Sequence, residues 1–318
     1  MTAAATTARD PAGAPERSTP SGALARVSTW LTPALPRNRL AVLRLVAYGF
    51  ALFYVFRLNL LPVHHAALPA DLYQPLQIAR LLPVVPRATP AVVLVCRLAL
   101  VAGVVTSLAG RLPRLSGTVV ALAYGQWLLM ASSYGKVDHD QLGFLLLLFA
   151  LPTAGRLSLR DGTLDERAGW VLRLTQLGAV ATYFLSALAK LRFGGPEWVN
   201  SGTLARAIAR RGTFLADTVA EIPHFIHAAQ WATMAAELLS PLLFVPRWTN
   251  RLVAAAFGFH VVTFAFLTIG FWPHQVSLLA FLPLEAVLGW RIWDWWRRRD
   301  GRSPAQPTAG STAPAEVG

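Results

Sequence analysis

The chain has 318 residues, of which 54% are hydrophobic and only 14% are charged. Ordinary soluble domains carry roughly 25% charged residues, so this composition excludes a typical soluble domain and indicates a protein whose solvent is lipid. The formal net charge of +13 does not predict a nucleic-acid partner, because the arginines are spread between apolar runs instead of lying on one basic face. The single cysteine, Cys96, excludes an intramolecular disulfide.

Both ends of the chain have the composition of disordered tails. Residues 1–36 and 301–318 are rich in Ala, Thr, Pro, Gly and Ser, and neither stretch contains enough apolar surface to offset the entropy of ordering it. The first stretch also lacks the basic and then apolar order of a cleaved signal peptide. We therefore predict one folded transmembrane domain, residues 37–300, between two disordered tails.

Eight apolar runs in that domain are candidates for membrane crossing. A hydrocarbon core about 30 Å thick needs about 20 mostly apolar residues per helix. The runs cover residues 40–61, 90–110, 116–133, 141–155, 169–191, 227–246, 251–271 and 275–290. The fourth run is short, so a re-entrant segment is the alternative to a crossing there. The sequence thus predicts an all-α fold, a polytopic transmembrane bundle of about eight helices.

The distribution of arginines predicts the orientation of the bundle. If the N-terminus is cytoplasmic and all eight runs cross, the inner connections contain Arg37, Arg39, Arg111, Arg114, Arg156, Arg160, Arg167, Arg247, Arg251, Arg297, Arg298 and Arg299. The outer connections near Lys136 and His274 are almost free of positive charge. We therefore predict a multi-pass protein of the cell membrane, in contact with the lipid bilayer, with both termini in the cytoplasm.

The longest outer connection, residues 192–226, departs from this trend because it contains four arginines. Its stretch from Thr203 to Arg211 places apolar residues and arginines on different faces at helical spacing. This pattern predicts either a helix lying at the membrane surface or a solvated loop helix. Near the C-terminus, the tryptophans and arginines of residues 290–299 indicate an anchor at the cytoplasmic interface rather than a ligand site.

Ionisable side chains within the apolar runs or at their ends identify a candidate site, because each costs about 2.5–3.5 kcal/mol at membrane depth. The candidates are Arg57, Arg97, His139, Lys190, Glu237, His260 and Glu285. Under the predicted topology, nearly all of them lie in the outer half of the membrane. A shared depth favours one polar cavity over a set of independent side chains that reach to both interfaces.

Lys190 has the most informative surroundings. Tyr183, Ser186 and Lys190 are spaced i, i+3 and i+7, so a phenol, a hydroxyl and an amine share one face of a helix. An amine that is removed from water holds its proton less tightly and can then serve as a general base. The alternative is a lysine near a helix end whose ammonium extends to the outer headgroups.

Two histidines are candidate partners of this lysine. His139 lies between Asp138 and Asp140, whose carboxylates are expected to orient its ring and raise its basicity. His260 has no partner nearby in the sequence, so a hydrogen-bonded core histidine is the alternative to a catalytic role. The histidine spacings do not predict a metal site, because neither HxxxH nor HExxH occurs.

Three motifs of the chain resemble one family of membrane domains. They are Tyr183-Phe184-Leu185-Ser186-Ala187-Leu188-Ala189-Lys190-Leu191 with the later Trp198-Val199, His139-Asp140-Gln141-Leu142-Gly143, and Phe259-His260 with Ile269-Gly270-Phe271. They resemble segments of the HTTM domain, the membrane part shared by vitamin K-dependent gamma-carboxylase and many bacterial proteins. The resemblance covers about residues 37–290.

The resemblance implies a chemistry for these residues. In the family's carboxylases, the lysine that matches Lys190 is regarded as the base that deprotonates vitamin K hydroquinone, and the histidine that matches His139 helps to stabilise reactive intermediates. Oxygenation of the hydroquinone makes a strong base, which removes a gamma proton from a glutamate so that carbon dioxide can add. The implied catalytic residues are Lys190, His139 and His260, and a quinol, either vitamin K hydroquinone or menaquinol, is the implied cofactor. The residues expected to bind it are Tyr183, Ser186, Arg57, Arg97 and Trp198.

The chain also departs from the carboxylases. Val137-Asp138 replaces an Asn-Asn pair, Phe193-Gly194-Gly195-Pro196 lengthens the spacing between Lys190 and Trp198, and no segment after residue 290 matches the large extracytoplasmic domain that binds protein substrates.

Two functions therefore stay open. One is a membrane enzyme that uses a quinol and acts on a peptide or protein substrate. The other is a non-enzymatic membrane factor for the export, maturation or immunity of a secreted peptide, which requires only that Arg57, Arg97 and Glu237 pair within the bundle. A transporter is less favoured, because the sequence shows no inverted repeat.

Overall fold

The computed structural model describes residues 22–81, 85–135 and 137–286. Regular structure in these ranges is helical apart from one antiparallel pair of two-residue strands, β1 (Leu35–Pro36) and β2 (Leu164–Asp165). The predicted tail 301–318, the predicted anchor 290–299, most of the predicted tail 1–36 and the end of the eighth run lie outside the described residues.

Fourteen α-helices occur within the described ranges. They are α1 (Gly22–Leu31), α2 (Arg37–Phe53), α3 (Leu61–His65), α4 (Gln77–Leu81), α5 (Pro90–Leu108), α6 (Pro113–Ala131), α7 (Leu142–Ala150), α8 (Glu166–Gly194), α9 (Glu197–Asn200), α10 (Thr203–Arg211), α11 (Phe214–Ala220), α12 (Phe225–Leu238), α13 (Pro246–Leu267) and α14 (Trp272–Leu278). A π-helical turn, Tyr54–Leu58, continues α2. Turns of 3₁₀ helix cover Ala70–Leu72, His139–Gln141, Leu151–Ala154, Ser240–Phe244 and Leu279–Phe281.

Four of the described helical segments are long and apolar enough to cross a membrane. They are Arg37–Leu58, Pro90–Leu108, Glu166–Gly194 and Pro246–Leu267. These segments coincide with the first, second, fifth and seventh predicted runs. The prediction of an all-α fold with helices suited to membrane insertion is therefore confirmed.

The other four predicted runs form helices that are shorter or more polar, so an eight-helix bundle is not confirmed. The fourth run contains α7, whose 9 residues extend only about 14 Å. Prolines explain why three of these helices, α7, α12 and α14, are short, because a proline lacks an N–H and clashes with the preceding turn. Pro152 follows α7, Pro241 follows α12, and Pro283 follows the turn after α14.

The short helices α7 and α14 lie in the core, where both pack against α8. Two glycines allow α7 and α8 to approach closely. A Cβ atom added at Gly178 would lie 2.9 Å from the Cα of Gly143, and one added at Gly143 would lie 2.9 Å from the Oγ of Ser277 on α14. Small residues at a helix crossing let two backbones pack directly. This contact fixes the position of α14 relative to the face of α8 that carries Tyr183.

Residues 22–36 differ from the predicted disordered tail. They form α1 and β1, and Trp30 packs edge-on against Phe244 with the ring centroids 5.3 Å apart. The guanidinium of Arg173 lies 4.5 Å from the centroid of the Trp30 ring, a distance at which cation–π attraction is significant. One aromatic anchor therefore orders a segment whose average composition predicts disorder.

Candidate functional site

A cavity of about 600 Å³ brings most of the predicted site residues together. Its wall is formed by α8, α9, α10, α12, α13 and α14, and by the turn that precedes α7. Six of the eight predicted residues line it, namely Lys190, His139, His260, Tyr183, Ser186 and Trp198. The lining is mostly apolar, and a volume of this size is typical of pockets for small molecules and cofactors.

Lys190 on α8 and Glu237 on α12 form an ion pair in the cavity wall. The ammonium of Lys190 donates hydrogen bonds to both carboxylate oxygens of Glu237. The two side chains are only 20% and 10% exposed, respectively. The ammonium of Lys190 lies over the ring of Trp198 in a cation–π contact, with Nζ 4.6 Å from the ring centroid. Lys190 therefore has an internal anionic partner, which the sequence did not assign because Glu237 lies 47 positions away.

A second polar group lies further along the same face of α8. The hydroxyl of Tyr183 and the Nε2 atom of His260 are 2.6 Å apart and share a hydrogen bond. His274, at the start of α14, packs edge-on against Tyr183 with the ring centroids 4.3 Å apart. Lys190 lies seven positions after Tyr183 on α8, which corresponds to about 10 Å along the helix axis. The cavity thus has two polar poles, a first pole at Lys190 and Glu237 and a second pole at Tyr183 and His260, with Ser186 between them on α8.

His139 lies at the boundary between the cavity and a polar hollow of about 470 Å³. The hollow also contains Arg57, Asp138, Asp140 and Arg211. Desolvation by the surrounding protein lowers the pKa of His139 although the residue is exposed, and the positive charge of Lys190 lowers it further. The charge of Asp138 raises this pKa but is outweighed. The predicted effect of a flanking carboxylate is therefore present at Asp138, but the net pKa of His139 is lowered and not raised.

This lowered pKa predicts a pH dependence. The unfolded chain protonates His139 near its ordinary pKa of about 6.5, whereas the folded protein resists protonation until a lower pH. The unfolded state therefore binds more protons in this window, so stability falls as the pH drops below about 6.5 and on through the folded pKa. We expect the melting temperature of a His139→Gln variant to fall less between pH 7 and pH 5 than that of the wild type.

Thermal unfolding in nanodiscs at several pH values measures this difference. If the melting temperatures of the two proteins fall equally with pH, the pKa of His139 is not lowered in the folded protein.

Arg57 and Arg97 lie outside the cavity. Arg57 lines the polar hollow. The guanidinium of Arg97 lies 4.9 Å from the ring centroid of Phe56 and 5.2 Å from that of Trp127, and it donates a hydrogen bond of 3.3 Å to the carbonyl oxygen of Val55. The sequence analysis grouped both arginines with Tyr183, Ser186 and Trp198 as quinol-binding residues. The structure places the arginines apart from those three, outside the cavity.

The two glutamates of the apolar runs have cationic partners at different places in the fold. Glu237 pairs with Lys190 inside the fold, so the internal pairing that the non-enzymatic alternative requires is present at this carboxylate, with a lysine as the partner. Glu285 accepts a hydrogen bond of 2.7 Å from Nε of Arg39, at the start of α2 and away from the cavity. Only some of the ionisable residues that predicted one shared polar site therefore lie in the cavity.

The helix α10 covers one side of the cavity. It begins and ends at the residues predicted for an amphipathic helix, Thr203 and Arg211. Its cavity face consists of Thr203, Leu204, Ala207 and Ile208. Arg206, Arg210 and Arg211 are exposed on the other side, so the helix separates an apolar cavity from a basic outer surface.

Gln230 on α12 holds the segment that leads into α10 through side-chain hydrogen bonds to its backbone. Its side chain is 2% exposed, and Nε2 donates hydrogen bonds of 2.7 Å to the carbonyl of Val199 and 3.0 Å to that of Ser201. Its Oε1 accepts a hydrogen bond of 2.7 Å from the amide of Leu204. Sequence reasoning missed Gln230 because a single glutamine in an apolar helix gives no indication of its partners.

The arrangement can hold and transfer protons next to an apolar ligand. Lys190 and Glu237 share protons at one pole, and Tyr183 and His260 share one at the other. Within the described residues, no group of three or more His, Cys, Asp or Glu side chains is placed to bind a metal ion. No family model, no curated protein and no solved structure matches the chain.

Proposed function

We propose that the protein is a membrane enzyme that binds a quinol in the cavity and uses Lys190 and Glu237 to transfer a proton. The observation that supports this function is the convergence of the lysine–glutamate pair and the Tyr183–His260 hydrogen bond on one mostly apolar cavity. A lipid-soluble ring with polar substituents suits a pocket with few convergent polar groups. The imidazole Nδ1 of His260 is buried without a hydrogen-bond partner among the described residues, so a polar ligand atom also fits the second pole.

The proposal extends to the family, the topology and the substrate. It makes the chain a member of the HTTM family that crosses the cell membrane eight times, with both termini in the cytoplasm, and that acts on a peptide or protein substrate. Support comes from the motif residues Lys190, His139 and His260, which come from three separate segments and line one cavity. The four apolar helices suited to crossing the bilayer also support it.

Lys190 acts in this proposal as the base, with Glu237 as its proton acceptor. In the ion pair the amine carries a proton, so it becomes a base only after that proton passes to the carboxylate that it contacts. The neutral amine of Lys190 would then accept a proton from a ligand hydroxyl held at Nζ. The apolar wall excludes water, which favours transfer between these groups over exchange with solvent. The bound quinol supplies the reactive hydroxyl and, in the family's carboxylases, the oxygen chemistry that produces the strong base.

A quinol-binding assay tests the function. Wild type and Lys190→Met are compared in nanodiscs at matched folded concentration, with vitamin K hydroquinone and with menaquinol under anaerobic conditions. We expect the wild type to bind at least one quinol and Lys190→Met to bind it at least tenfold more weakly, because the ligand hydroxyl loses its hydrogen-bond partner. The control variant is Arg80→Met, which changes an exposed side chain outside the cavity.

Two outcomes would count against the proposal. If the wild type binds neither quinol, the enzymatic function is wrong, and pull-downs with secreted peptides then test the non-enzymatic alternative. If Lys190→Met binds as tightly as the wild type, the cavity binds quinols but Lys190 is not a binding residue.

A further inference from the structure

His274 is a polar side chain of the cavity that the proton transfer described above does not use. It lies in the sequence Trp272-Pro273-His274 at the start of α14, and it lines the cavity. The residue is 1% exposed. Within the part of the chain that the structure describes, neither Nδ1 nor Nε2 of His274 has a hydrogen-bond partner.

A buried imidazole with no hydrogen-bond partner at either nitrogen is unusual in a folded protein. More than about 90% of buried polar groups are hydrogen-bonded, because a buried group without a partner loses its hydrogen bonds to water without compensation. A neutral imidazole presents one donor and one acceptor, whichever nitrogen carries the proton. His274 can therefore both donate to and accept from a polar group in the cavity.

His274 lies beside Tyr183 and His260, which form the second pole of the cavity. Its ring centroid lies 4.3 Å from that of Tyr183 and 5.3 Å from that of His260. The hydroxyl of Tyr183 is already engaged with Nε2 of His260, so the unsatisfied groups at this pole are the nitrogens of His274 and Nδ1 of His260. Glycine packing between α7 and α8 fixes the place of α14, which carries His274.

We propose that His274 is a specificity-determining residue that binds the second oxygen of the ligand, so the cavity selects rings with oxygens at opposite ends. This inference rests on the proposed function and names the substrate class of the same site. His274 contacts Tyr183, which lies about 10 Å from Lys190 along the axis of α8. A ring with hydroxyls at opposite ends, plus a hydrogen bond of about 2.8 Å at each end, has a length of this order.

The test compares two ligands that differ in one hydroxyl. The probes are a para-naphthohydroquinone and the matching naphthol, which lacks the second hydroxyl, and binding of each is measured calorimetrically to the full chain in nanodiscs. We expect the wild type to bind the diol about tenfold more tightly than the naphthol, as one hydrogen bond to a buried polar group predicts. In His274→Phe this preference disappears, whereas the affinity for the naphthol is unchanged.

Further variants separate ligand binding from folding. His274→Asn retains a donor and an acceptor, so it is expected to keep part of the preference for the diol. His227→Phe, which changes an exposed histidine outside the cavity, is expected to behave as the wild type. Melting temperatures show whether each variant is folded. If His274→Phe does not fold, His274→Asn and the wild-type preference still test the proposal.

The outcomes distinguish this inference from the proposed function. A wild type that binds neither probe overturns both. A wild type that binds the two probes equally, or a folded His274→Phe variant that keeps the preference for the diol, overturns the role of His274 and leaves quinol binding at Lys190 intact. Loss of the preference in His274→Phe, with partial recovery in His274→Asn, supports the role.

Discussion

Glu237→Leu is expected to lower the stability of the protein by about 3 kcal/mol and to weaken quinol binding, whereas the double variant Lys190→Met/Glu237→Leu recovers most of the stability but not the binding. Removing one partner of a mostly buried ion pair leaves the other charge without compensation, which typically costs about 3–5 kcal/mol. We expect the lower end of that range, because the Lys190 side chain is 20% exposed. Replacing both partners with apolar residues removes the uncompensated charge.

The measurement is a double-mutant cycle in nanodiscs. Denaturant unfolding gives the free energy of the wild type, the two single variants and the double variant, and quinol binding is measured on the same samples. The interaction energy of the pair is the difference between the double variant and the sum of the single variants. Wild-type stability in Glu237→Leu would show that the charge of Lys190 finds another partner.

The chain offers a matched control pair. Arg39 and Glu285 also form an ion pair between distant segments, and their side chains are 19% and 22% exposed. Because this pair lies away from the cavity, Arg39→Met/Glu285→Leu is expected to change stability without changing quinol affinity. If both double variants lose binding equally, the loss reflects the fold, and the pair of Lys190 and Glu237 then has no specific role.

Local sequence pattern predicted some parts of the site well. The spacing of Tyr183, Ser186 and Lys190 placed three side chains on one helix face, and all three line the cavity. The alternation of arginines and apolar residues gave the bounds of α10. Both predictions succeed because helical periodicity is a local property that the sequence shows directly.

Other parts could not be predicted, because they depend on contacts between distant segments. Lys190 and Glu237 are 47 positions apart, and Tyr183 and His260 are 77 positions apart, so their pairing follows from the packing of α8 against other helices. His274 was placed in an outer connection, since no periodic pattern shows that its turn is buried. The run lengths also overestimated the number of long helices, because single prolines end helices inside apolar stretches.

The last prediction concerns the segment that covers the cavity. Gln230→Leu is expected to lower the hydrogen-exchange protection of residues 198–211 by about a hundredfold. The side chain of Gln230 makes hydrogen bonds to four backbone groups of this segment. Because Nε2 has only two hydrogens, these contacts amount to about three full hydrogen bonds of about 1 kcal/mol net each. A loss of about 2.7 kcal/mol corresponds to a hundredfold change in the opening equilibrium.

The loss should be local, because the C-terminal end of α10 is held by another residue. The amide and hydroxyl of Thr213 donate hydrogen bonds of 2.9 Å and 2.8 Å to the carbonyls of Phe266 and Ala265 on α13. We therefore expect residues 198–211 to separate from α12 at their N-terminal side first, with the backbone bending near Gly212. Exchange in α5 and α6, which pack against each other, is expected to stay as in the wild type.

The matched control is Gln126→Leu, whose side-chain nitrogen donates one hydrogen bond of 2.9 Å to the carbonyl of Pro86. Exchange of residues 198–211 is expected to be unchanged in this variant. If α10 closes the cavity, Gln230→Leu also releases a bound quinol faster, since the wall formed by Leu204 and Ile208 separates from α12 and α13. Increased exchange with an unchanged release rate would show that ligands enter and leave by another route, for which the polar hollow beside His139 is the structural candidate.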